Sequence, residues 1–574
     1  MTLVCGIKLT HDGGLAVIDS PAAGPPRLLA SIEAEKLANA TRHAEFADAD
    51  LILAALDDLG LAPDDIGTFV VDGWGRAAAA EGLRVSGGHG AQFVRTAPYR
   101  QSDDSAPPLH RYLPPTKLRL GAAGLRYASY RHVDGHLASA YLTRPTQDAG
   151  NPCLVLVWDG GVFPELYLVE PDPGRVRHLG PIFRIPGSIY SGFSCNVPPF
   201  LPDAARNESE HRDFHLTMPG KVMAYAGLGE LSEEFIAEVT GQLGALDGCW
   251  DAPGRLYPAV EQTARRLGLP GPDILAGFQE ALARMLVAGL AHARQALPVP
   301  ADRLCFAGGS ALNIRWNSAI RASGLFASVW VPPFPNDSGT AIGTACAELM
   351  AAGEFGMLDW SVYAGPALTG PTARDGWRAE SCDADQLGAI LYETGEPVVV
   401  LAGRAELGPR ALGHRSILAS PVSAATKVLL NQVKGREYYR PVAPMCLEKF
   451  SAEIFEPGGP DPYMLFDHRV RPAWSGRIPA VIHVDGTARL QTVNDTNAPL
   501  AAAVVRAFFK RSGIPVLCNT SANLPGRGFF PDAASAMEWG RVGRVWADGT
   551  LFTRAATRDA PGPHATSTLT AHGG

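Results

Sequence analysis

The sequence predicts an α/β protein with a large N-terminal domain and a smaller mixed α/β domain behind it. Two observations carry this. Along the first 352 residues a strand, a glycine turn and a helix recur, with polar residues at the strand ends. In α/β sheets that is where ligands bind. After residues 353–375, rich in Gly, Pro, Ala and Thr, a fresh set of short apolar strands begins. At 574 residues the chain is too long for one core. The expected division is 1–352, a linker at 353–375, a second domain at 376–558, and a disordered tail at 559–574.

Residues 3–9 form the first expected strand, running into Thr10-His11-Asp12-Gly13-Gly14, with Leu15–Ile18 as its hairpin partner. Leu28–Glu35 continues the sheet, Ala47–Leu59 has helical spacing, and Thr68–Asp72 is a short apolar strand with a polar end. Residues 76–115 lack periodicity and read as an insertion over the site. A second cycle follows: helix His132–Leu142, strand Cys153–Trp158, the turn Asp159-Gly160-Gly161 and strand Leu166–Val169. Pro181–His215 reads as loop, and Glu233–Leu246 and Ile274–Ala296 as helices. Strand Arg303–Ala307 meets the turn Gly308-Gly309-Ser310, and strand Ser328–Val331 leads to Asn336-Asp337 and helix Ala341–Ala352. In the second domain Pro397–Leu401, Val481–Val484 and Pro515–Leu517 are expected strands and Ala498–Arg511 a helix.

Net charge is −8, from Lys+Arg 50 against Asp+Glu 58. That balance argues against a nucleic-acid partner and suits a cationic small substrate, though it also simply keeps a protein soluble. Nine cysteines without a Cys-x-x-Cys pair read as reduced core thiols. The N-terminus lacks a signal-peptide pattern, and no apolar run approaches the roughly 20 residues of a membrane span. A cytoplasmic protein with no membrane partner is expected.

His132-x-x-x-His136 places two imidazoles on one helical face. They read either as metal ligands or as packing histidines; Asp159 and Asp337, each beyond a strand in a glycine-containing turn, supply carboxylates for the first reading. Nitrogen and oxygen donors suit iron, manganese or zinc. Gly160-Gly161 and Gly308-Gly309 are turns able to bring backbone N–H groups against phosphate. With His11-Asp12-Gly-Gly they resemble the phosphate clamps of the actin/hexokinase/Hsp70-type ATPase fold. His11 reads as a base oriented by Asp12, or as an incidental neighbour of a turn-capping acid.

Further on, Gly403–Ser416 carries Arg410 and Arg415, and Lys434-Gly-Arg436-Glu-Tyr-Tyr-Arg440 adds three cations. Glycine and proline interleaving favours a cleft gripping anionic oxygen over a solvated face. His483 and Arg489 close another polar cluster, and Asn519, Ser521 and Asn523 follow a strand as hydrogen-bond donors or as a simple turn.

Taken jointly, the chain resembles the O-carbamoyltransferases of antibiotic and nodulation-factor biosynthesis from His11 to about residue 535. Leu-Thr-His11-Asp12-Gly, His132-x-x-x-His136, Pro219-Gly-Lys221-Val-Met, Gly308-Gly-Ser-Ala-Leu-Asn313, Asn336-Asp337-Ser-Gly, the Glu406–Ser416 block, His483-Val-Asp-Gly-Thr-Ala-Arg489 and Asn519-Thr-Ser521-Ala-Asn523 carry the resemblance. It looks nearer the secondary-metabolite enzymes than the nodulation enzymes. The resemblance implies a threonylcarbamoyl-transferase-like N-terminal domain holding a divalent metal, iron first, on His132, His136, Asp159 and Asp337. Gly160, Gly161, Lys221, Gly308, Gly309 and Asn313 would grip nucleotide there.

It also implies a YrdC-like C-terminal domain, whose Lys-x-Arg and Ser-x-Asn pattern matches Lys434, Arg436, Ser521 and Asn523. There carbamoyl phosphate and Mg-ATP would give carbamoyl-adenylate, pyrophosphate and phosphate, with Arg410, Arg415, Arg440, His483, Arg489 and Asn519 assisting. Transfer to an alcohol in the N-terminal domain would release AMP, with an aminoglycoside such as tobramycin or kanamycin as the expected acceptor. One departure is Gly308-Gly-Ser310, where the tRNA enzymes carry Gly-Gly-Val. A homodimer would be ordinary at this size. A tRNA-modifying enzyme and a non-catalytic ATP-binding scaffold are the rival readings; the missing basic stripe counts against the first.

Overall fold

The computed structural model describes residues 2–555, save 76–81, 122, 204–206, 247, 298 and 371–373. The tail expected to be disordered lies outside these. The first domain holds two five-stranded sheets of the same design. In the first sheet, β1 (Thr2–Lys8), β2 (Gly14–Ser20), β3 (Arg27–Glu33), β4 (Ile66–Asp72) and β5 (Tyr127–Tyr130) run in the order β3-β2-β1-β4-β5. In the second, β6 (Cys153–Val157), β7 (Glu165–Glu170), β8 (Arg175–Pro181), β9 (Arg303–Ala307) and β10 (Ser328–Trp330) run β8-β7-β6-β9-β10.

Each sheet begins with an antiparallel meander and ends with two parallel strands. Both therefore point the C-terminal ends of their first strands at a common crevice. This duplicated α/β arrangement agrees with the two-lobed first domain expected from the glycine turns.

Helices His132–Leu142 and Thr340–Ala351 cross between the sheets. Their backbones touch, since a Cβ on Gly343 would lie 2.0 Å from the Gly135 carbonyl oxygen. Gly6 of β1 permits the same approach to Ala341. Only glycine allows such contacts, and they bring the start of one helix beside the start of the other. The core around them includes Tyr130, Val133, Leu137, Val155, Val157, Ala307 and Ile342.

Pro181–His215, read as loop, contains helix Ile189–Ser194 and the start of Glu208–Ala226. Pro219 and the histidines of the latter hid its periodicity. Helix Gly271–Gln295 is long and apolar enough to cross a bilayer by length and composition, but Leu275, Phe278, Leu282, Leu286 and Leu290 are buried in this helical layer.

The second domain centres on an eight-stranded mixed sheet with Val398–Leu401, Arg415–Ala419, Val516–Ser521 and Ala443–Leu447 side by side. Val481–Val484, read as a strand, is instead a 3-10 turn at Pro479–Val481 running into a loop; the Asp485 carboxylate accepts the Thr487 N–H and hydroxyl there, closing a turn. The connecting segment is fastened along β3, with Ser31 N–H donating to the Ala364 carbonyl at 2.9 Å and Leu407 N–H to Val362 at 2.7 Å. The seam between the domains is polar and buried. Lys36 Nζ donates to Glu33 at 2.6 Å, to the Gly408 carbonyl at 2.8 Å and to the Glu406 carbonyl at 2.5 Å.

Candidate functional site

The crossing of the two helices produces a buried cluster of His132, His136, Asp159 and Asp337, whose donor atoms all lie within 4.8 Å of one another. His132 Nε2 is 3.1 Å from His136 Nε2 and 3.3 Å from Asp337 Oδ1, and His136 Nε2 is 3.5 Å from that same oxygen. Asp159 is more distant, at 3.9 and 4.0 Å from the two imidazoles. His132 donates its Nδ1–H to Asp72 at 2.9 Å, which turns its Nε2 lone pair inward. Two imidazoles, that of His132 fixed from behind by Asp72, facing two carboxylates, fit a divalent cation.

Four residues complete this pocket that the sequence reading did not single out. Lys8, fully buried at the end of β1, lies 3.0 Å from Asp337 and 3.2 Å from Asp72. Burial opposes its charge, yet Asp337 and Asp72 hold the ammonium above its ordinary value. The Tyr99 hydroxyl donates to Asp159 at 2.7 Å, and its ring stacks on His132 at 4.6 Å. The Trp74 ring meets His11, Tyr99 and His132 edge-on. Against burial, Lys8 and the histidines hold Asp337 well below the usual carboxylate range. Asp159 stands at about 2, burial and Asp337 being outweighed by His132 and His136. His132 is raised well above an ordinary imidazole, since Asp72 and Asp337 outweigh burial.

His11 joins this cluster from the turn after β1. Its Nε2 is 3.7 Å from Asp337, and its Nδ1–H donates to Asp12 Oδ2 at 3.1 Å. The other Asp12 oxygen accepts from His43 Nδ1 at 2.8 Å. Burial favours a neutral Asp12, but His43 and His11 hold it ionised, below the usual range. An ionised Asp12 fixes the His11 tautomer and leaves Nε2 able to take a proton.

The two glycine turns abut the cluster: Gly309 N–H donates to Asp159 Oδ1 at 2.7 Å, and Gly308 adopts φ 91° against the Trp158 backbone. Gly160 faces open space, while a Cβ on Gly161 would strike Tyr99. Asn313 differs from its expected role. Its carboxamide oxygen caps helix Ile314–Ala322 by accepting from Arg315 and Trp316, so it is occupied structurally. Lys221, expected at the N-terminal nucleotide site, pairs with Glu437 of the second domain at 3.3 Å and is 40% exposed.

A second cleft forms where the domains meet. Gly220, Ile314, Arg436, Arg440, His483 and Arg489 line it. Lys434 Nζ donates to the Ser521 and Asn523 carbonyls at 2.7 and 2.6 Å and to Asn523 Oδ1 at 2.6 Å, so the Lys-x-Arg and Ser-x-Asn pairs do meet. Arg436 reaches the Thr520 hydroxyl at 3.0 Å.

The cations repel. Burial, Arg440 and Arg489 push Arg436 down to about 9, burial and Arg440 push Arg489 to about 10, and Arg410 falls well below its usual value. The Nε atoms of Arg410, Arg436, Arg440 and Arg489 are all buried without a hydrogen-bond partner. Such a concentration of cations suits an anion. Arg410 also donates to the Leu312 carbonyl at 3.4 Å, on the segment that continues from Gly308-Gly309. One turn therefore touches both sites.

Three other expected contacts are structural. Arg415 is fully buried and donates to the Ala402 and His414 carbonyls at 2.6 and 2.9 Å, away from the cleft. Asn519 bonds the Ala411 carbonyl and Gln491. His483 lines the cleft but is held by Asp485 at 3.0 Å and the Tyr439 carbonyl at 3.1 Å. Lys8 was legible as a lysine closing an apolar strand, and Asp72 as that strand's counterpart on β4. Nothing local marks Tyr99 or Trp74, which arrive from loops.

Two family models match the chain: Carbamoyltransferase N-terminus over residues 3–346 and Carbamoyltransferase C-terminus over 389–545. Nodulation protein U of Rhizobium tropici is 44% identical over 568 residues, covering 96% of this chain and 96% of that protein. The Sinorhizobium fredii protein of the same name is 43% identical, covering 96% and 99%. A 3'-hydroxymethylcephem-O-carbamoyltransferase of Streptomyces clavuligerus is 31% identical over 560 residues, covering 96% and 99%. Among these relatives the nodulation proteins are the more similar, which reverses the order that the motifs suggested. Of solved structures, the ADPNP-bound activator of 2-hydroxyisocaproyl-CoA dehydratase from Clostridium difficile aligns with TM-score 0.32 and 10% identity, over 61% of this chain and 96% of that one. On full-length similarity and both domain matches, the chain belongs to the O-carbamoyltransferase family.

Proposed function

We propose that this carbamoyltransferase activates its carbamoyl group in the cationic cleft and transfers it to an alcohol at the histidine–aspartate cluster. The observation carrying this reading is the convergence of Arg436, Arg440 and Arg489 on one cleft, their Nε atoms unpartnered, with Lys434 held nearby by Ser521 and Asn523. Carbamoyl phosphate and Mg-ATP are anions that such donors bind. Water releases phosphate from carbamoyl phosphate, and a carbamate oxygen then attacks the α-phosphorus of ATP, expelling pyrophosphate. The product is carbamoyl-adenylate, made in a YrdC-like domain.

At the second site His11 Nε2 takes the proton of the acceptor hydroxyl as its oxygen attacks the carbamoyl carbon, and AMP leaves. Asp12 holds the ring in position for that. A divalent cation on His132, His136, Asp159 and Asp337, iron by preference and manganese or zinc as alternatives, would polarise the carbonyl and offset negative charge. Gly160, Gly161, Gly308 and Gly309 lie beside the cluster and would seat the nucleotide phosphates. The segment from Gly308 to Arg315 touches both sites, and a passage along it would shield the labile intermediate from water.

The acceptor is a small-molecule alcohol. An aminoglycoside fits the acidic balance, and a β-lactam alcohol fits the relatives named 3'-hydroxymethylcephem-O-carbamoyltransferase. Incubation with ATP, carbamoyl phosphate and a panel of aminoglycoside, hydroxymethylcephem and oligosaccharide alcohols tests the reading. It stands if AMP, pyrophosphate and a carbamoylated alcohol accumulate together. Carbamoylation without nucleotide consumption would sink it.

A further inference from the structure

The segment joining η-like turn Ala34–Lys36 to Phe46 lies on the domain seam and carries two residues the mechanism above does not use. Its backbone pairs with the loop after Asn523: Arg42 N–H donates to the Gly526 carbonyl at 2.9 Å, and Gly528 N–H donates to Ala40 at 3.1 Å. Thr41 bridges Arg527 in antiparallel register, and Arg527 donates to the Asn39 carbonyl at 3.0 Å. Asn523 organises that loop by donating to Leu524 and Arg527 while its oxygen accepts from Lys434. The fit is tight, for a Cβ on Gly528 would lie 1.7 Å from the Glu35 carbonyl oxygen. Ala38, Asn39 and His43 all hold positive φ, at 46°, 56° and 60°. An alanine in that region is strained and persists only where its surroundings impose it.

This path seats the Arg42 backbone against the loop that follows Asn523, the residue whose side chain holds Lys434. The positive charge of Arg42 contributes to depressing Lys434, Arg410 and Arg440 after the larger effect of burial. Among the described residues its guanidinium has no ion pair. The next residue turns the other way. His43 gives its Nδ1–H to Asp12 at 2.8 Å, and its backbone N–H is held by Glu35 at 3.1 Å.

We infer that Arg42-His43 serves both sites at once: Arg42 is an anion-binding residue lent by the first domain to the cleft of the second, and His43 is a positioning residue that aligns Asp12 behind His11. The inference rests on the two-site reading above. In it, Arg42 contacts a phosphoryl group of ATP or carbamoyl phosphate, and the cleft is complete only when the domains are joined.

The test uses the full chain with inorganic pyrophosphate as the probe. By titration calorimetry Arg42→Ala should weaken pyrophosphate binding by about tenfold, as loss of one charge-assisted contact does, and Arg42→Lys should recover most of it. For His43, His43→Ala should cut kcat for alcohol carbamoylation by at least about tenfold with acceptor KM little changed, as loss of an orienting contact does. His43→Asn keeps an N–H near the Nδ1 position and should restore much of that rate. Wild-type pyrophosphate affinity in Arg42→Ala overturns the Arg42 assignment. An Asn variant no better than Ala, with an unchanged melting curve, overturns that for His43. Absence of pyrophosphate release by the wild-type chain would instead topple the two-site reading itself.

Discussion

The two sites handle buried charge in opposite ways. At the helix crossing every ionised group has a counter-charge: Lys8 faces Asp72 and Asp337, and His11 and His43 flank Asp12. The cleft gathers Arg436, Arg440 and Arg489 with Nε donors unmet. The first sets charges of both signs in contact, and the second gathers an excess of one sign. An incoming anion would offset that excess. Ligand binding and stability should therefore oppose each other in the cleft and run together at the cluster.

The largest effect expected is from breaking the cluster. Lys8→Met leaves Asp72 and Asp337 buried with only histidines, foremost His132, opposing their charge and should destabilise the first domain by about 3–5 kcal/mol, read by chemical denaturation. Asp337→Ala should drop bound metal, measured on purified protein, to background and with it the carbamoyl transfer rate. Next, Arg489→Met removes a repelling cation from the cleft. Melting temperature should rise, by about 1 kcal/mol of stability, while pyrophosphate release from ATP and carbamoyl phosphate is lost. A fall in melting temperature there would erase the contrast.

A pH series on metal-stripped protein sharpens it further. Asp159 and Asp337 sit below ordinary carboxylate values, so their contribution is present above about pH 4 and fades as pH falls through the Asp159 value of about 2. His132 is raised, so its contribution is complete below about pH 6.5 and is lost as pH climbs through its higher folded value. Melts should therefore peak between those limits, and added metal should reverse the alkaline loss. The smallest effect belongs to Asn313→Ala, about 1 kcal/mol for a lost helix cap.

Much of the cluster was legible because its residues announce themselves locally. His132 and His136 are one turn apart on a helix, and Asp159 and Asp337 end strands. Residues that act through tertiary placement were not legible: Tyr99 and Trp74 reach His132 from loops, and His43 meets Asp12 across 31 positions. Arg415 and Asn313 misled for the opposite reason. Both lie in dense polar motifs, yet buried backbone carbonyls and a helix start claim them first. The second strand-turn-helix cycle was legible from its glycine turns, but the shared strand order of the two sheets was not, since it depends on pairings between distant strands.

The bare contact between Gly135 and Gly343 behaves as a fulcrum. A methyl group added at Gly343 has no space at 2.0 Å from the opposing carbonyl, so the helices must part. That wedge would be transmitted to His132, His136 and Asp337, all within a few residues of the pivot. The geometry of the cluster is thus set by two missing side chains.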